Sequence, residues 1–154
     1  MEAVRILKSL NVTMDRTVRI ALWGGEEEGL LGSQAYVKEH FADRATMLTK
    51  PEYAKLSAYF NDDSGTGRFR GIGVAGNDQA APIFEKWQKP FRDLDFTVVG
   101  GVTAADTRRP GGTDHTSFDF VGLPGFGFIQ DPWNTARGHT TPTWTSMTGF
   151  NRAT

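Results

Sequence analysis

The sequence predicts an α/β fold of three layers, with a mostly parallel central sheet flanked by helices. Two observations carry this. Runs of β-forming residues alternate along the chain with runs of helical periodicity, the pattern of a layered sheet whose strands are joined through helices. Two acidic turns, at 26–28 and 61–63, each follow directly on a strand-like run. In such folds ligand sites gather at the carboxyl ends of strands.

Ala3, Val4, Ile6, Leu7 and Leu10 recur at helical spacing and predict an opening amphipathic helix. Thr17 to Trp23 alternates Val18, Ile20 and Leu22 with other residues and reads as a strand, ended by Gly24 and Gly25. Ser33 is suited to cap a helix running to about His40. Lys55 to Phe60 reads as a strand that stops at Asn61-Asp62-Asp63, and Arg70 to Val74 as a short one. Asn77 or Asp78 is placed to cap a helix containing Ile83, Phe84 and Trp87. Phe96 to Val99 is strand-like, Pro110-Gly111-Gly112 a loop, Thr116 to Phe120 a helical turn and Phe126 to Gln130 a last strand.

The length of 154 residues fits one domain, and 38% hydrophobic residues suffice for a core. A net charge of -1 without a basic face excludes nucleic acid as the expected partner. No apolar run is long enough to span a bilayer. The absence of cysteine excludes disulfides, thiol nucleophiles and cysteine zinc sites. Glu2, Arg5 and Lys8 interrupt any signal-peptide core at Met1.

Glu26, Glu27 and Glu28 are adjacent, and three neighbouring carboxylates repel one another. A metal ion would neutralise them, one as ligand and another as the group handling the proton of a water. A solvated loop before a helix, whose N-terminus favours acids, also accounts for them. Asn61 to Gly67 is rich in turn residues and reads equally as a plain loop. His40 ends a predicted helix beside Lys38 and reads as surface. His139, in Arg137-Gly138-His139-Thr140-Thr141, is by itself a loop histidine. Thr113 or Asp114 suits a helix N-cap, with His115 partly buried.

Trp23-Gly24-Gly25-Glu26-Glu27-Glu28-Gly29-Leu30-Leu31-Gly32-Ser33 closely resembles a motif of the di-zinc aminopeptidase and glutamate carboxypeptidase family. There the first glutamate of a pair is the general base and the second a zinc ligand, roles the resemblance gives to Glu26 and Glu27. It places a further zinc ligand at Asp63, although Asp62 stands where the family is usually apolar. The family's late His-Thr pair maps onto His139 and Thr140, with His139 on the same zinc as Glu27. Thr143 replaces an aspartate usual four residues later, a carboxylate suited to orienting that imidazole. Gly111 to Phe118 is similar to a segment whose Asp-His pair, here Asp114 and His115, lines the pocket or bonds into its network.

The resemblance runs from Met1 to about Thr145 and implies a zinc-exopeptidase-like fold. It implies a single partial catalytic domain over residues 1–154 whose N-terminal part is missing. Five protein ligands are expected of a two-zinc site in this family. The early His-x-Asp motif and the bridging aspartate have no counterpart here. The missing strands would leave a sheet edge and an apolar face open, to be covered by the missing N-terminal segment or an oligomeric partner. The implied activity is hydrolysis of N-terminal peptide bonds. Two zinc ions about 3.5–4 Å apart would activate a water, with Glu26 as base and a peptide as substrate. Aminopeptidase is preferred over carboxypeptidase because no arginine-rich pocket for a substrate carboxylate is evident. A non-catalytic domain keeping the peptidase fold, and a glutaminyl cyclase with one zinc, are the rival readings. The resemblance alone suggests a secreted or extracytoplasmic place.

Overall fold

The computed structural model describes residues 2–63, 67–100 and 112–131. Among the described residues one four-stranded sheet carries the fold, in the order β1-β4-β2-β3. The strands are β1 (Tyr59–Asn61), β2 (Phe69–Gly73), β3 (Val98–Gly100) and β4 (Gly125–Gln130). β1 lies parallel to β4 and β2 parallel to β3, while β2 and β4 run antiparallel. The mostly parallel expectation therefore holds for two of the three pairings.

The helices are α1 (Glu2–Ser9), α2 (Leu31–His40), α3 (Ala81–Gln88) and α4 (His115–Asp119). α2 and α4 cover one face of the sheet through Val37, Phe41, Phe118, Val121 and Leu123. On that face Phe118 stacks on Tyr59 with ring centroids 4.1 Å apart. α3 covers the other face, where Phe84 packs edge-on against Phe126 beside Ile72 and Val74. Gln88 ties α3 to the sheet, donating to the Val98 carbonyl at 2.7 Å. Three layers result because β4 packs Phe126 into the α3 face and sets Gly125 and Gly127 close against His115 of α4 on the other.

The largest departure from the sequence reading is Thr17 to Trp23. It carries strand-like alternation but belongs to no sheet. A strand is made by hydrogen bonds to a neighbour, and among the described residues no backbone bond reaches residues 12–23. Its odd-numbered side chains instead face a cavity of about 640 Å³ that separates it from residues 55–59. The strand read over Lys55 to Phe60 is shorter, since Tyr53–Lys55 forms a 3-10 turn and pairing begins at Tyr59.

The expected helix caps also differ. Ser33 lies within α2 and is fully buried. The helix is entered through Leu30 in the left-handed conformation, φ 62°. A 3-10 turn over Asp78–Ala80 precedes α3, whose N-cap position is Ala80, and Asn77 makes no side-chain cap bond. α1 forms where expected but buries no residue. β3 begins two residues later than Phe96. His40, read as surface, is half-buried, with its ring 4.4 Å from Tyr36 and Nδ1 3.9 Å from Glu52.

Candidate active site

The first acidic turn is built by backbone geometry. The amides of Gly29 and Leu30 donate to the Glu26 carbonyl at 3.0 and 2.9 Å. Those of Leu31 and Gly32 return to the Gly25 and Gly24 carbonyls, each at 2.9 Å. The chain turns through positive φ at Gly25 (67°) and Gly29 (105°), where glycine carries no steric penalty. A Cβ on Gly32 would stand 2.7 Å from the Gly24 carbonyl oxygen, so the turn closes directly onto α2. Ser33 then fastens α2 to α4, its hydroxyl 2.7 Å from that of Ser117.

A hydrogen-bonded chain joins this turn to the second one. The Trp23 indole donates to the Tyr59 hydroxyl at 2.9 Å, and Tyr59 donates to the Asn61 side-chain carbonyl at 2.6 Å. The Asn61 amide donates to the Thr113 hydroxyl. Buried Asn61 thus fixes the end of β1 against the 112–114 turn that leads into α4. This relay was not legible in the sequence, where Asn61 and Thr113 counted only as turn or cap residues.

Around that junction lie Glu26, Asp63, Asp114 and His115. Partial burial raises the Glu26 carboxyl above its ordinary value, and the negative fields of Asp63, Glu27, Asp114 and Glu28 raise it further. Burial also pushes Asp114 up, opposed by a hydrogen bond with Ser33. His115 is pushed down by burial, against the fields of Asp114 and Asp63. Asp114 occupies the N-cap position of α4 yet makes no side-chain cap bond. Its Oδ1 and the Nδ1 of His115 are buried without a partner among the described residues.

The structure thus brings Glu26, Asp63, Asp114 and His115 within one electrostatic neighbourhood. Glu27 and Asp63 are exposed at its rim. His139 and Thr143 lie outside the described residues. Among the described residues no group of three or more histidine, aspartate or glutamate side chains is disposed to hold a metal ion. A catalytic zinc takes three protein ligands and an open position, so the described residues alone do not fit a complete zinc site. What they do provide is a carboxylate of raised basicity in the turn that leads into α2, beside further oxygen donors.

The chain matches Peptidase family M28 over residues 1–145. It belongs to that family. It is 29% identical to Carboxypeptidase Q of Bos taurus over 130 residues, 84% of this chain and 24% of the relative. It is 30% identical to Leupeptin-inactivating enzyme 1 of Streptomyces exfoliatus over 137 residues, 88% of this chain and 28% of that one. Similarity of 28% over 137 residues also extends to the probable lipoprotein aminopeptidase LpqL of Mycobacterium tuberculosis, covering 83% of this chain and 25% of the relative. The chain spans about a quarter of the length of these curated relatives. No solved structure matches it. No helix among the described residues is long and apolar enough to cross a membrane.

Proposed function

We propose that this chain carries the catalytic base and part of the metal-binding set of an exopeptidase, and that the whole enzyme removes N-terminal residues from peptides. The observation that supports it is Glu26, a carboxylate of raised pKa held by a glycine-shaped turn in the neighbourhood of Asp63 and Asp114. A carboxylate of raised pKa holds a proton nearer to neutral pH, which suits general acid-base work. Glu26 takes the proton from the attacking water and hands it to the leaving amine. Asp114 bonds into the network behind the site and His115 lines the substrate pocket.

Zinc is the metal we infer, with Glu27, Asp63 and His139 among its ligands. It would supply Lewis acidity and an acidified water. Because those three residues fall short of a two-metal set, the chain by itself is expected to be catalytically silent. The exopeptidase class is supported by family membership and by relatives named both carboxypeptidase and aminopeptidase.

The test is an assay of a longer polypeptide carrying this domain, on aminoacyl chromogenic substrates and on acyl-blocked dipeptides with a free carboxyl terminus. Cleavage of the first set alone, lost on chelation and restored by zinc, is the expected result. Cleavage of the second set alone would replace aminopeptidase by carboxypeptidase. Full turnover after rigorous metal removal would refute the metal.

A further inference from the structure

The bonds that link Trp23 to Thr113 run in one sense. An indole nitrogen donates and never accepts. The Tyr59 hydroxyl therefore receives the Trp23 proton at 2.9 Å and passes its own to the Asn61 side-chain oxygen at 2.6 Å. With that oxygen taken, Asn61 turns its NH2 group to the Thr113 hydroxyl oxygen. Thr113 thus enters the relay as an acceptor, and its own proton is left to donate elsewhere. Asn61, the central link, is 6% exposed, so the sense is held away from water.

The backbone at Thr113 is also fixed. Gly112 turns the chain at φ 109°, and the Thr116 amide and hydroxyl both return to the Thr113 carbonyl at 2.9 Å. The half-buried Thr113 side chain meets the carboxyl end of β1, one residue before Asp114 and two before His115. The carboxylates gathered at this junction accept hydrogen bonds. They suit the amides of a peptide and leave its carbonyl oxygens in need of a donor. We propose that Thr113 donates its hydroxyl proton to a carbonyl oxygen of the bound peptide, and that Trp23, Tyr59 and Asn61 are positioning residues that hold it in that sense. A donor oriented in advance needs no rearrangement when substrate arrives. The inference rests on the peptidase reading. It has a particular consequence for Trp23. Without the indole proton, Tyr59 is free to accept from Asn61, whose flipped amide then accepts from Thr113. The Thr113 proton would turn inward although Thr113 itself is unchanged.

Steady-state kinetics of the longer polypeptide on trialanine, which either kind of exopeptidase can cleave, test it. Thr113→Val removes the hydroxyl at nearly the same shape. It should raise KM about 3–10-fold at unchanged kcat, the mark of a bond made equally in ground and transition states. Thr113→Ser keeps the hydroxyl and should recover most of the loss. Trp23→Phe should also raise KM, and combined with Thr113→Val it should do no more than Thr113→Val alone. Where urea unfolding shows that Thr113→Val does not fold, the KM of Trp23→Phe decides. An unchanged KM, or effects of the two substitutions that multiply, would overturn this inference and leave the peptidase reading standing. A wild type that cleaves no peptide would overturn both.

Discussion

Glu26 shows how position sets the chemistry of a single residue. Burial comes first among the causes raising its carboxyl, and four neighbouring acids add to it. Replacing it by glutamine keeps the size and removes the base. In a zinc-loaded longer polypeptide, Glu26→Gln should lower kcat by about 10²–10⁴-fold while zinc affinity, read by calorimetry, stays unchanged. Glu27→Gln should reverse the pattern and weaken zinc. The base works ionised, so kcat/KM should fall as pH drops through the pKa that Glu26 has in the loaded enzyme. Asp114 adds a stability effect. Its folded pKa is raised, so the folded state binds the proton more tightly than the unfolded chain does. Stability is then gained as pH falls from the folded pKa toward the unfolded one, and is lost again as pH rises. Asp114→Asn removes a buried charge, and should raise Tm at neutral pH by about 2–4 °C, equivalent to about 1 kcal/mol in a chain of this size. It should also flatten the dependence of Tm on pH just above the ordinary aspartate range.

At the scale of elements, the junction of the first acidic turn with α2 reverses an ordinary rule. Glycine inside a helix normally costs about 0.5–1 kcal/mol relative to alanine. Gly32 lies in α2, but its Cβ would meet the Gly24 carbonyl at 2.7 Å. Gly32→Ala should therefore destabilise, by about 1–3 kcal/mol as for other overpacked sites, as measured by urea unfolding. An unchanged or higher midpoint would show that the turn yields easily. On the opposite wall Phe118, 2% exposed, stacks on Tyr59 and meets Trp23 and Phe41 at 6.2 and 6.0 Å. Phe118→Ala should cost about 3–5 kcal/mol and, by loosening Tyr59, disturb the relay through Asn61 to Thr113.

For the whole molecule the expected outcome is a count of donors. Zinc titrated into the 154-residue chain should show no tight binding of two equivalents, because no described group of three donors is disposed to hold a metal. Two tight equivalents would show that residues outside the described ones complete the set. Much of the fold was legible in the chain. Phe126 to Gln130 and Arg70 to Val74 became β4 and β2 nearly as read, because their β-forming side chains are buried against α3 and their backbones find partners within the chain. The acidic turns were legible because glycines and consecutive acids mark them locally. The sequence by itself determined the layered class, the kinship over residues 1–145 and the turn that holds Glu26. Tertiary structure alone decided that Ser33 is a buried link to α4 and that Asn61 and Thr113 join the turns. It also decided that Thr17 to Trp23 stands apart from the sheet. The physical reason is the same in each case. Periodicity and turn chemistry are properties of neighbours along the chain, whereas a strand's ladder and a buried hydroxyl's partner are supplied by residues distant in sequence.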